Sequence, residues 1–241
     1  MSSCGENIRR FRYHLLLLIV SLSVSCGLFS QDSGPERDQW QHPQAVMDAL
    51  VIGPGKIVAD VGAGDGYFTF HLAERVGLQG KVYAEDIKND EVDAIRRRAE
   101  EKHLTQIEVL HGEPGDPKLP GNSLDVVLIV NAYHEFRSYE TMLRSIFNAL
   151  KPEGLLAIID SPTPMGSSRL DYYPRHRIPE ELVREDVSRA GFQFLRKEPG
   201  FKNPAKNKDF YFLIFERPKE HAAIAEREFR IAEFGLRIGT I

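Results

Sequence analysis

Five short apolar runs rich in β-branched residues recur along the chain: KIVADV (56–61), KVYAED (81–86), IEVLHG (107–112), LDVVLIV (124–130) and LLAIID (155–160). Stretches long enough for helices separate or follow them, at 67–76, 90–102, 139–150 and 179–190, the last opened by Pro179 with Glu180 and Glu181 in its first turn. Runs of this length and composition suit strands buried on both faces. Strand alternating with helix leaves one main solution, a parallel sheet with helices on both sides. The rhythm breaks after residue 190. Phe192–Glu198 and Asp209–Glu216 are separated by PGFKNPAKNK, whose two prolines and glycine forbid a crossover helix, so these two strands are predicted to pair antiparallel. The expected fold is therefore α/β and Rossmann-like, a seven-stranded sheet, mostly parallel with its last strand antiparallel. Residues 219–241 are expected to form a helix packed on the domain through Ile224, Phe229, Ile231, Phe234, Leu236 and Ile238, with a dimer contact as the alternative.

Composition bounds the function. The 241 residues are 42% hydrophobic and 27% charged, which fits one globular domain, and the formal charge of −4 supplies no global positive field for a nucleic-acid backbone. Both cysteines, Cys4 and Cys26, lie at the extreme N-terminus, so the body has no thiol for a disulfide or a nucleophile. Arg9, Arg10 and Arg12 precede the apolar run LLLLIVSLSV, and the whole apolar stretch, Leu15 to Phe29, is shorter than the roughly 20 residues a spanning helix needs. Residues 1–26 read as a signal peptide, and residues 27–38 as a linker. Ser-Val-Ser before Cys26 resembles a bacterial lipobox, with Ser23 where leucine is usual; an ordinary cleaved signal with an incidental Cys26 is the equal alternative. The expectation is export to the cell envelope, periplasmic or lipid-anchored through the N-terminus only, with the cytoplasmic side as the alternative.

The chemistry concentrates in VADVGAGDGYF (58–68), where the first strand ends and the first long helix begins. Asp60, Gly62, Gly64 and Gly66 alternate, so the backbone can approach a ligand closely with a helix N-terminus directly behind. A dinucleotide fingerprint would place glycine or alanine where Tyr67 stands, so NAD is not favoured. KVYAEDI then ends the second strand in Glu85 and Asp86, two adjacent carboxylates at the carboxyl end of a strand, the edge where ligands bind in open α/β sheets.

The spacing D-x-G-x-G-x-G resembles motif I of the class I S-adenosylmethionine-dependent methyltransferases. SLDVVLIVNAYHEF (123–136) resembles that family's motif IV, and LKPEGLLAIID (150–160) its following loop and fifth strand. The resemblance runs from WQHPQAVMDAL (40–50) to FYFLIF (210–215), placing a methyltransferase domain at 39–218, and is strongest toward the small-molecule enzymes akin to those of ubiquinone and menaquinone synthesis. It implies S-adenosylmethionine as cofactor and methyl transfer to a small molecule. Carried onto matching positions, it implies cofactor contacts from Asp60, Gly62, Ala63, Gly64 and Gly66, and from Asp86 on the ribose with Glu85 in reserve. It also implies Asp116 near the adenine, with Glu113 behind it, and Asn131 at the end of the fourth strand.

Methyl transfer from a sulfonium is an in-line displacement, governed by alignment, with a base needed only when the nucleophile starts protonated. His134 is the candidate base, and capping of local backbone is its structural alternative; Tyr133 is expected to line the pocket or face the sulfonium. DYYPRHRIP (171–179) is either a lid over the substrate or a solvated loop anchored by its tyrosines. No metal is expected, because none of the eight histidines pairs at HxxxH spacing. The alternative from another class is an exported binding module that keeps the fold without turnover.

Overall fold

The computed structural model describes residues 34–166 and 168–219. The N-terminal address and residues 220–241 of the expected C-terminal helix lie outside the described residues. Two short helices come first, α1 (Gly34–Gln41) and α2 (Pro43–Ala49), followed by β1 (Ile57–Val61), α3 (Tyr67–Val76), β2 (Lys81–Asp86), α4 (Asn89–Glu101), β3 (Ile107–His111) and β4 (Leu124–Val130). Then come α5 (Tyr139–Ala149), β5 (Leu150–Asp160), α6 (Glu180–Arg189), β6 (Gln193–Asn203) and β7 (Lys208–Glu216). Single 3₁₀ turns stand at Tyr133–Glu135, Arg169–Asp171 and Tyr173–Arg175.

The seven strands form one sheet in the order β3-β2-β1-β4-β5-β7-β6. Pairing is parallel from β3 through β5; β7 runs antiparallel to both β5 and β6. The predicted seven-stranded, mostly parallel sheet is the one observed. One face carries Val46 and Met47 of α2 with Phe68, Leu72 and Val76 of α3 against Val58, Val126 and Ile159. The other carries Met142, Leu143 and Ile146 of α5 and Val183 and Val187 of α6 against Val127, Ile129 and Ile158. Central strands buried on both sides explain why their sequences are continuous apolar runs rather than alternating ones.

Three boundaries differ from the sequence reading. The expected linker stops at residue 33, because Gly34–Asp38 already form the first turns of α1, with Glu36 in the first turn and Trp40 stacked on Phe210 at 5.7 Å. The polar residues that suggest a linker instead hold this helix in place. Arg37 makes a two-pronged contact with Asp65 at 2.7 and 3.0 Å, and Asp38 accepts from the Tyr67 hydroxyl. The loop predicted between β6 and β7 is shorter than PGFKNPAKNK, since β6 continues through Pro199 and Gly200 to Asn203. The register shifts between Glu198 and Phe201. An edge strand tolerates proline and a bulge, and β6 is the edge. Finally, β5 starts at Leu150: Leu124 pairs with Leu150 and Val126 with Leu155, so the intervening KPEG bulges out of the ladder.

Candidate functional site at the carboxyl edge of the sheet

The turn after β1 is held in a conformation that glycine alone adopts easily. Gly62, Gly64 and Gly66 have φ of 72, 53 and 76°, and Gly66 caps α3. A Cβ on Gly62 would stand 2.6 Å from the Cβ of Ala132, so the turn presses against the segment that follows β4. The amides of Gly62 and Ala63 both donate to the Glu85 carbonyl, at 2.9 and 2.8 Å, hooking the turn over the end of β2.

The carboxylates around this turn differ in what they are doing. Asp60 is buried and faces α3, accepting from the Thr69 hydroxyl at 2.7 Å, and burial raises its carboxyl to about 6. It ties β1 to α3 beneath the turn. Asp86 accepts from the amide of Gly64 with one oxygen and from that of Lys88 with the other, both at 2.9 Å. Glu85 is 2% exposed; Oε2 accepts weakly from the Gly62 amide at 3.3 Å, and Oε1 is buried without a hydrogen-bond partner. Burial pushes its carboxyl up to about 8. The glycine that follows β3 makes room for it, because a Cβ on Gly112 would overlap Glu85 Oε1.

Asp116 lies in a turn after β3, where Glu113 and Asp116 exchange backbone hydrogen bonds. Lys118 contacts both carboxylates at 3.0 Å and also donates its amide to Asp116, holding that carboxyl below its ordinary range. The predicted adenine acid is thus occupied by its own turn. Asn131 has φ of 54°, sends its amide to Ile159 and accepts from the Lys208 ammonium at 2.8 Å.

The segment after β4 corrects two expectations. Tyr133 does not line an open pocket: its ring is wholly buried in the α5–α6 core and its hydroxyl donates to Asp186 at 3.2 Å, beside Arg169. His134 does more than cap backbone. Its side chain is fully buried, and Nδ1 lies 3.0 Å from both oxygens of Asp160, itself fully buried at the end of β5. Asp160 also accepts the amides of His134 and Ser161, so its carboxylate is fixed from several sides. Burial alone would depress the imidazole, but hydrogen bonds to Asp160 and Glu135 outweigh it and raise His134 to about 9.

His134 Nε2 faces His176 Nδ1 at 3.3 Å, and Glu135 Oε1 lies 3.7 Å from each of those nitrogens. The absence of HxxxH spacing predicts no ligand set, yet tertiary contact assembles two imidazoles and a carboxylate. His176 comes from DYYPRHRIP, 42 residues away, so this segment is tied to the end of β4 as well as anchored by a tyrosine. Tyr172 is a buried anchor, whereas His176 reaches the residue proposed for chemistry. Two partners escaped the sequence reading for different reasons. Asp160 was visible as the last residue of a strand neighbouring β4, and a parallel sheet brings such ends together. Arg37 had no signal, because its role depends on α1 lying across the glycine turn.

Comparison with known proteins follows the same lines. The family described as "Methyltransferase domain" matches residues 58–154. The chain is 28% identical over 129 residues to a demethylmenaquinone methyltransferase of Geobacillus sp. (strain WCH70), covering 53% of this chain and 55% of that one. It is 30% identical over 118 residues to its counterpart in Listeria welshimeri, covering 49% and 50%. The chain thus spans about half the length of the curated relatives it matches. Among solved structures, a SAM-dependent methyltransferase from Aquifex aeolicus matches with a TM-score of 0.64 and 26% identity, over 76% of this chain and 93% of that one. The [4+2]-cyclase SpnF shares the fold at a TM-score of 0.64 and 17% identity, over 73% and 80%.

Proposed function

We propose that the chain is a class I S-adenosylmethionine-dependent methyltransferase that transfers a methyl group from S-adenosylmethionine to a small-molecule acceptor. The observation that carries the proposal is the mouth between β1 and β2: three left-handed glycines, a helix N-terminus behind them and two buried carboxylates, one with an oxygen lacking a partner. A buried acceptor without a donor costs about 1–3 kcal/mol, and a ligand bearing hydroxyls beside Glu85 Oε1 removes that cost. The residues therefore fit a nucleoside cofactor.

Bound there, S-adenosylmethionine would supply a methyl group made electrophilic by its sulfonium. The chain's own contribution is positional. The glycine turn lets backbone approach the ligand, Asp86 and Glu85 accept from the ribose, and Arg37 on Asp65 holds α1 against the turn to limit water. His134, oriented by Asp160, marks the acceptor side next to Glu135 and His176. The small-molecule class of acceptor is supported by the demethylmenaquinone methyltransferase relatives. Residues 1–26 form part of the same proposal as an export signal, supported by the order of arginines and then an apolar run.

The test is calorimetric titration of the purified full chain with S-adenosylmethionine and with S-adenosylhomocysteine. Micromolar binding of either is expected and would justify an acceptor screen; no binding by a folded sample would overturn the reading. Fractionation of cells expressing the full chain checks the address, with recovery in the cytoplasm overturning export.

A further inference from the structure

We propose that His134 Nε2, Glu135 Oε1 and His176 Nδ1 form a binding site for a divalent transition-metal ion of the zinc type, with at least one coordination position left for an exogenous ligand. The three donor atoms form a triangle with edges of 3.3, 3.7 and 3.7 Å. The point equidistant from all three lies about 2.1 Å from each, which is the usual length of zinc–imidazole and zinc–carboxylate bonds. A bound ion would therefore sit at or just above the plane of these atoms without rearrangement of the backbone.

The surroundings supply what a metal ligand needs. Nδ1–H of His134 donates to Asp160, so the proton that a metal ion displaces is the one on Nε2, the nitrogen that faces Glu135 and His176. This carboxylate–histidine pair is fully buried, so the ring cannot turn away. The other two ligands are on the accessible side: the His176 side chain is 63% exposed and that of Glu135 33%. An ion can enter there, and its remaining position opens in the same direction. Two imidazoles with one carboxylate suit zinc and its neighbours in the first transition series better than magnesium or calcium, which favour all-oxygen shells. Backbone geometry is spent on the arrangement as well, since His176 is held at φ of 48° after the Tyr173–Arg175 turn. The ion's use in methyl transfer, as a point that grips an oxygen or nitrogen of the acceptor, rests on the reading above. Its binding does not.

The experiment uses untagged full-length chain stripped with a chelator and titrated with zinc chloride alone, with metal content after dialysis measured by mass spectrometry. One zinc per chain with a micromolar or tighter dissociation constant is expected. His134→Ala leaves Asp160 buried without its partner and can fail to fold, so the deciding variants are H176A and E135Q, at partly exposed side chains. Each should weaken zinc binding at least about tenfold, and D160N should do so by about 10–100-fold through loss of the oriented ring. Absence of zinc uptake by folded wild-type chain overturns the proposal and leaves Asp160, His134 and His176 as a hydrogen-bonded relay. Zinc uptake that H176A and E135Q do not weaken overturns it equally. Titration of the stripped chain with S-adenosylhomocysteine reports on the glycine turn separately, so failure of the ion site and failure of the methyltransferase reading are told apart.

Discussion

The carboxyl edge of the sheet carries two mouths built on opposite principles. Between β1 and β2 the groups proposed to meet a ligand are backbone amides and two adjacent carboxylates, drawn from two short segments about twenty residues apart. Between β4 and β5 they are side chains from three segments, the turn at Tyr133–Glu135, the end of β5 and the turn before α6. The first mouth depends on φ angles and on space that a single Cβ would fill. The second depends on rotamers held by long-range hydrogen bonds. Damage to the first should therefore appear in folding and cofactor affinity, and damage to the second mainly in chemistry or ion binding.

The sharpest way to break this contrast is Gly62→Val. It places a β-branched residue at φ of 72° and its Cβ 2.6 Å from that of Ala132. Left-handed backbone costs roughly 1–2 kcal/mol and overpacking a further 1–3, so urea unfolding should show a loss of about 2–5 kcal/mol. A loss under 1 kcal/mol would mean the turn relaxes freely and is no rigid cradle. Next in size, Asp86→Ala removes the acceptor of two amides at the mouth. Cofactor affinity should fall by about 1.5–3 kcal/mol in calorimetry; unchanged affinity would take Asp86 out of the site.

Glu85 sharpens the comparison through pH. Its folded-state value of about 8 stands above the unfolded 4.5, so between those values the folded chain keeps a proton that the unfolded chain has lost. The resulting stabilisation is complete below about 4.5 and disappears as pH rises through about 8. The cofactor-free chain should lose stability with a slope approaching about 1.4 kcal/mol per pH unit in that window. Asp60, raised to about 6, adds to the slope at its acid end. Glu85→Gln should flatten the Glu85 contribution in denaturant titrations at pH 6, 7 and 8, and an unchanged slope would show that Glu85 ionises normally.

The two mouths also differ in how much of each was legible in the chain. Alternating apolar runs and helix-length gaps specify the sheet, because each central strand is buried on both faces and must be apolar throughout. The glycine turn is legible for a similar reason: φ above zero at three alternate positions leaves a compositional mark. Asp86 and Glu85 follow from their place at a strand end. The second mouth leaves almost no such mark. His134 and Glu135 stand together in the sequence, but Asp160 joins them through strand adjacency and His176 through the path of a turn-rich segment. Side-chain sites assembled by tertiary contact have no required spacing, and a search for HxxxH is blind to them. Asp38 and Arg37 were misleading in the other direction, since polarity suited to a linker is equally suited to a helix that pairs with Asp65 of the glycine turn and accepts from Tyr67 of α3.

Tyr133 gives the smallest effect and separates the two mouths most cleanly. It lies beside His134 in sequence, which suggests a shared site, yet it points into the core and donates to Asp186. Asp186 keeps its ion pair with Arg169 when that hydroxyl is removed. Tyr133→Phe preserves the ring and loses one hydrogen bond whose acceptor remains partnered, so stability should fall by only about 0.5–1.5 kcal/mol. S-Adenosylhomocysteine affinity and zinc affinity should both stay at wild-type values, because neither mouth includes the hydroxyl. A tenfold change in either would place Tyr133 in a ligand site after all, and the boundary between core and mouth would then lie one residue earlier, at Ala132.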